Sequence, residues 1–182
     1  MCGVKLKVIE TKLKDCILIE PQVFEDDRGF FLESFNIDHY KSIGIVSSFV
    51  QDNHSSSMRN VLRGLHFQRR KPQGKLVRVV RGEVLDVALD IRPNSPTFKK
   101  WEAVKLSEDN KRQFWIPPGF AHGFLVLSDT ADFEYKCTEY YYPDDEMTIR
   151  WNDPSLQISW GIDSPIISKK DANAPFLSEL DL

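Results

Sequence analysis

Two histidines, a lysine and a run of arginines in the middle of the chain have the types and spacing that could do chemistry. His66 sits in Arg63-Gly-Leu-His-Phe-Gln and His122 in Ile116-Pro-Pro-Gly-Phe-Ala-His-Gly-Phe. Between them lies a basic knot of Arg69, Arg70, Lys71, Lys75 and Arg78. Histidine exchanges a proton near neutral pH and suits general acid–base work. Arginine grips anions through a bidentate fork, and lysine is a point charge to aim where negative charge develops. The chain as a whole carries a net charge of −3. A basic cluster in an acidic protein points to a small anionic ligand and not to nucleic acid, whose footprint is a basic surface.

The elements that must hold these residues read as strands. Leu76 to Val80 is rich in β-branched residues, Arg81-Gly82-Glu83 is turn chemistry, and Val84 to Ile91 alternates with a period of two, which predicts a hairpin. Upstream, Ile17 to Phe24 reads as a strand bent or placed at an edge by Pro21, and residues 25–35 as a charged turn feeding an aromatic strand. Asn36 to Ile43 predicts one short helix ended by Gly44, followed by a strand over Val46 to Gln51 and a polar loop from Asn53 to Arg59. Downstream, Lys99 to Leu106 and Phe114 to Ile116 predict strands, the second cut off by Pro117-Pro118-Gly119. Phe124 to Ser128 and Phe133 to Tyr142 predict an antiparallel pair around Asp129-Thr130, with Tyr135 and Tyr141 on one strand face. The tail holds Trp151, Trp160 and a loop from Ser168 to Pro175, with at most one helical turn after it. Short strands, frequent turns and little amphipathic helix predict an all-β sandwich or barrel. Small barrels hold ligands inside, which lets His66, Lys75, Asp86 and Tyr135 point inward without breaking the fold.

Length and composition set the remaining bounds. At 182 residues, 41% of them hydrophobic, one domain over residues 1–182 is expected. No apolar run approaches the ~18 residues of a membrane span, and the N-terminus lacks the basic-then-apolar pattern of a signal peptide, so the expected compartment is the cytoplasm. Cys2, Cys16 and Cys137 are odd in number with no CxxC spacing, and read as free thiols.

Seven segments taken together carry a resemblance: Asp27-Arg-Gly-Phe-Phe-Leu-Glu-Ser, Phe49-Val-Gln-Asp-Asn-His-Ser, Arg63-Gly-Leu-His-Phe-Gln, Gln73-Gly-Lys-Leu-Val-Arg, Trp115-Ile-Pro-Pro-Gly-Phe-Ala-His-Gly-Phe, Tyr135-Lys-Cys-Thr-Glu-Tyr-Tyr and Ser168-Lys-Lys-Asp-Ala-Asn-Ala-Pro. In this order, over nearly the whole chain, they resemble the dTDP-4-dehydrorhamnose 3,5-epimerase family. The resemblance implies a cupin-type jelly-roll barrel with short peripheral helices, and a homodimer that exchanges N-terminal strands. It also implies inversion of the two carbons flanking the ketone of dTDP-4-dehydro-6-deoxy-glucose. It departs at Ser159-Trp160-Gly161-Ile162 and at Pro72-Gln73, which touch only loop shape.

Residue by residue, the resemblance makes His66 the base, Asp171 its carboxylate partner, Lys75 the cation facing the ketone oxygen and Tyr135 the acid on the opposite face. A phenol with a pKa near ~10 is protonated at neutral pH and can deliver that proton. Arg63, His122, Gln51, Asp52, Asn53, Glu146, Lys170 and Tyr141 line the substrate site, Tyr141 stacking on the thymine. Arg28, Phe31 and Glu33 are implied as nucleotide contacts from the neighbouring subunit. Three other readings compete. A metal-dependent cupin would need further clustered ligands beside His66, where Phe67 and Gln68 stand, so neither metal nor cofactor is expected. A non-catalytic sugar-nucleotide-binding module could dispense with His66, Asp171 and Tyr135, and a related mono-epimerase or ketoisomerase would keep them.

Overall fold

The structure, a computed structural model, describes residues 5–182. Thirteen strands form among them: β1 Lys7–Glu10, β2 Ile17–Glu20, β3 Val23–Asp26, β4 Gly29–Leu32, β5 Gln51–Met58, β6 Leu62–Gln68, β7 Lys75–Arg81, β8 Glu83–Asp90, β9 Trp101–Ser107, β10 Gln113–Ile116, β11 Phe120–Val126, β12 Thr130–Cys137 and β13 Glu146–Thr148. Two short helices accompany them, α1 Ile37–Ser42 and α2 Lys169–Ala172. None of the described helices is long and apolar enough to cross a membrane.

The strands make a six-stranded sheet in the order β1-β2-β10-β7-β12-β5, a five-stranded sheet in the order β13-β6-β11-β8-β9, and a separate β3-β4 hairpin. The class is all-β, as expected. The two large sheets form an open sandwich and not the closed barrel, because each ends in a strand with one partner in its sheet.

Both predicted hairpins turn out to be crossings between sheets. β7 pairs with β10 and β12, while β8 pairs with β9 and β11, so the turn at Gly82 carries the chain over the end of the core. Gly82 has φ +77°, and a Cβ there would lie 2.1 Å from the Thr130 carbonyl oxygen. The step from β11 to β12 crosses in the same way. The two crossings are knit by Ser128, whose Oγ accepts from the Glu83 N–H at 2.8 Å and donates to the Thr130 carbonyl at 2.7 Å. Alternating apolar strands satisfy a cross-sheet core as well as a hairpin, and a turn signal does not say which sheet follows. Inside the sandwich, Val77, Val79 and Phe133 pack against Val84, Ala88 and Phe124. The Phe124 and Phe133 rings stack at 4.2 Å between centroids. Truncating a buried phenylalanine such as Phe133 to Ala costs about 3–5 kcal/mol. The outer face of β8 is covered by the tail, through Leu156, Trp160 and Leu177.

The polar loop expected over Asn53 to Arg59 is instead β5, paired in full with β12. Its side chains alternate between half-buried and exposed up to Ser57, but both sets are polar, which hides the period from hydropathy. The strand expected over Val46 to Gln51 begins only at Gln51, and the one expected over Ile17 to Phe24 is broken at Pro21 into β2 and β3. Helix α1 matches its prediction: the Asn36 side chain caps Asp38 and His39, and Gly44 follows its end with φ +93°.

Candidate active site

His66 and His122 are brought together by strand pairing. β11 and β6 run antiparallel with His122 opposite His66, so both rings leave the same face, towards the six-stranded sheet. The register slips between His122 and Phe124, where Gly64 and Gly123 meet. A Cβ on Gly64 would lie 2.5 Å from the Gly123 Cα, so only glycine allows this approach.

Each imidazole has a carboxylate. His66 Nε2 lies 2.7 Å from Asp171 Oδ1, which arrives from the tail on α2, a single turn within the predicted loop and capped by Ser168 Oγ. Burial raises the cost of ionising Asp171, but its hydrogen bonds to His66, the Gly64 backbone and Ser168, with the attraction to His66, together outweigh it and hold the carboxyl below the usual range. His122 Nε2 lies 2.9 Å from Asp86 Oδ2 in β8. Burial pushes the His122 imidazolium below the usual histidine range even with Asp86 beside it.

The facing sheet supplies Lys75 and Tyr135. Lys75 Nζ stands 5.9 Å from the Tyr135 ring centroid. Burial pushes the Tyr135 phenol up to about 12, so it is protonated at neutral pH. Loss of water around Lys75 pushes its ammonium below the usual lysine range. Arg63 donates from Nε to Ser57 Oγ at 3.1 Å, bridging β6 to β5, and its charge reaches Tyr135.

A polar rim surrounds this centre. The Tyr141 hydroxyl donates to Glu146 Oε2 at 2.9 Å, and Lys170 pairs with the same carboxylate. Gln51 accepts from the Tyr141 N–H and donates to Asn53 Oδ1, and Asn53 Nδ2 reaches Cys137 Sγ at 3.5 Å. Tyr141 therefore sits beyond the end of β12 and not on its face as parity predicted, because the strand stops at Cys137. Asp52 points to the other face of the sheet, where it pairs with Lys136. Arg28 and Phe31 stand apart on the β3-β4 hairpin, Arg28 bonded to Asp26 and Phe31 68% exposed, while Glu33 is held by His39 at 2.6 Å. Among the described residues no group of three or more His, Cys, Asp or Glu side chains is arranged to hold a metal ion.

Residues 10–179 match the family model described as dTDP-4-dehydrorhamnose 3,5-epimerase. The chain belongs to the dTDP-4-dehydrorhamnose 3,5-epimerase family. It is 57% identical to the Escherichia coli protein of that name over 178 residues, covering 96% of each chain. Among solved structures, an epimerase from Legionella pneumophila in complex with dTDP-4-keto-L-rhamnose superposes with a TM-score of 0.94 at 52% identity, covering 97% of this chain and 95% of that one. The Bacillus anthracis dTDP-4-dehydrorhamnose 3,5-epimerase with TDP and PPi bound gives 0.93 at 48%, covering 95% and 100%.

Within this epimerase family frame, the sequence offered Asp86 as an inward residue but not its partner, and it gave no sign of Ser57 or Thr148. Asp86 is the His122 partner, Ser57 steadies Arg63, and Thr148 stands opposite His66 with its Oγ1 buried and unpaired. The alternation of Asp86 with apolar neighbours was the one available signal, since a carboxylate on the inward parity of a buried strand needs a partner.

Proposed function

We propose that this chain inverts C3 and C5 of dTDP-4-dehydro-6-deoxy-D-glucose to give dTDP-4-dehydro-L-rhamnose, a step towards dTDP-L-rhamnose, with residues 1–182 acting as one domain. The observation that carries the reading is that the base and the acid project from opposite sheets into one gap, His66 from β6 and Tyr135 from β12. A hexose ring lodged between them meets a base on one face and an acid on the other, which is what inversion demands.

The C–H bonds beside the ketone are acidic because the departing electron pair becomes an enolate on the ketone oxygen. His66 Nδ1 takes the proton, since Nε2 is turned to Asp171, and Asp171 stabilises the imidazolium that forms. Lys75 faces the developing oxyanion. The Tyr135 hydroxyl returns a proton to the opposite face of the carbon, and solvent then restores both groups. The cycle repeats at the second carbon, and no step calls for a metal or cofactor. Arg63 binds the diphosphate and Tyr141 stacks on the thymine, with His122, Gln51, Asn53, Glu146 and Lys170 around the substrate. Asp52 acts from the far face by fixing Lys136.

The ligands named in the Legionella and Bacillus structures support a thymidine nucleotide substrate. The β3-β4 hairpin supports a homodimer with exchanged N-terminal strands, because it pairs with neither large sheet and leaves Arg28 and Phe31 exposed, as suits residues offered to a partner's site. Two buried free thiols, Cys16 and Cys137, suit a reducing cytoplasm. Proton NMR of the protein with dTDP-4-dehydro-6-deoxy-D-glucose in deuterated water tests the reading. Deuterium at both C3 and C5 with inverted product is expected; exchange at one carbon would make it a mono-epimerase, and saturable binding with no exchange a binding module.

A further inference from the structure

Gln68 has no part in the chemistry above, yet its amide is committed in full to one loop. It ends β6, two residues beyond His66 and therefore on the same face of the strand, and is only 5% exposed. Nε2 donates to the Lys71 carbonyl at 2.7 Å and to the Tyr140 carbonyl at 3.1 Å, and Oε1 accepts from the Tyr142 N–H at 2.8 Å. A buried amide must be satisfied somewhere, and two of these three partners are the backbone groups on either side of Tyr141.

Tyr141 lies beyond β12 in a stretch with no regular structure, where the backbone has no ladder to hold it. It is nevertheless fixed at every point. Gln68 grips the peptide groups that flank it, Gln51 Oε1 accepts its N–H at 2.9 Å, and Glu146 Oε2 accepts from its hydroxyl at 2.9 Å. Glu146 stands directly opposite Gln68 in the β6–β13 ladder, so one cross-strand pair holds both the backbone and the ring tip of Tyr141. The tyrosine itself stays 49% exposed. A ring anchored at both ends and still open to solvent is a platform set before any ligand arrives, which spares binding the cost of ordering it.

We propose that Gln68 is a positioning residue for nucleotide recognition, fixing the Tyr141 ring at a set distance from His66. The inference rests on the reading of Tyr141 as the ring that stacks on the thymine. Gln68 acts through Tyr141. Because β6 carries both the base and the clamp, the spacing between the reacting sugar and the thymine is built into a single strand.

The test is Gln68→Met, which keeps an unbranched side chain of similar length and removes all three hydrogen bonds. The ligand must then order the loop, so the Kd of dTDP and the KM of the dTDP-sugar should rise together by about 3- to 10-fold. The lost binding is common to ground state and transition state, so kcat should stay within about twofold. In a Tyr141→Ala background the same substitution should add nothing, since residues that act through one another do not add. A dTDP affinity unchanged by Gln68→Met where Tyr141→Ala weakens it overturns the proposal. So do losses that multiply in the double variant, and so does a fall in kcat with KM unchanged, which marks damage to the site as a whole. Where Gln68→Met does not fold, hydrogen exchange of the unaltered protein without ligand decides: the Tyr141 and Tyr142 amides must be protected, and exchange at the rate of an unstructured chain overturns the proposal. Failure of the underlying reading looks different: Tyr141→Ala would itself leave the Kd of dTDP unchanged, and the inference would fall with it.

Discussion

His66–Asp171 and His122–Asp86 are built from the same atoms, at 2.7 and 2.9 Å, and stand on neighbouring strands facing the same gap. They differ in water. The His66 side chain keeps 29% of its surface exposed, against 7% for His122, whose carboxylate partner is wholly buried. They differ also in where the carboxylate comes from, a capped turn in the tail for Asp171 and a central strand for Asp86. Proton transfer needs an imidazole that a ligand and solvent can reach, which the exposed edge of His66 allows and the burial of His122 does not. An imidazole–carboxylate pair is thus no signature of a base until its exposure is known.

Substitutions sharpen this contrast, starting with the largest effect. His66→Ala should abolish both solvent exchange at C3 and C5 and product formation, a loss of about 10³-fold or more, read by proton NMR in deuterated water. If His122 can stand in as base, the exchange persists and the contrast fails. Asp171→Asn should leave the fold intact by circular dichroism and lower kcat by roughly 10²–10⁴-fold, through the wrong imidazole tautomer. Near-normal turnover would remove Asp171 from the mechanism. Tyr135→Phe should separate the two faces: deuterium still washes into C3 or C5 because His66 and Lys75 remain, but little inverted product appears. Abundant inverted product would mean that water or another group supplies the second face.

Mixing Arg28→Ala with His66→Ala protein should restore activity at roughly a quarter of the sites, because a mixed dimer holds one site with both native residues. No recovery after confirmed subunit exchange would mean that each site is complete within one chain. The smallest effect is spectroscopic. Since burial holds the His122 ring below the usual histidine range, its nitrogen signals should stay those of the neutral form as the pH falls from 7 to about 6.5. A midpoint at or above the ordinary value would show a solvated ring and dissolve the contrast.

Much of this site was legible in the sequence, because residue types with narrow chemical uses sat in compact motifs. His66, Lys75, Tyr135 and His122 all face one gap, and Asp171, far off in the chain, reaches His66 as the resemblance implied. What could not be read was which strands pair. The turns at Gly82 and at Asp129-Thr130 look like hairpin turns, and their residues fit a crossing equally well. Nor could β5 be seen, since a strand with polar side chains on both faces has no hydropathy period. Asp86 was visible only as an inward candidate, for its partner lies 36 residues away on the neighbouring strand.

The meeting of Gly64 and Gly123 has a consequence for how such a protein can drift under mutation. Each glycine stands next to or two residues from a histidine, so a methyl group added at either would wedge β6 from β11 where His66 faces His122. Most of the sandwich can absorb a small wedge by repacking apolar side chains, at a cost in stability that selection elsewhere can repair. At this crossing the obstruction is backbone on both sides and cannot repack. Lineages would therefore be free to vary the core around these two positions long before they could vary the positions themselves.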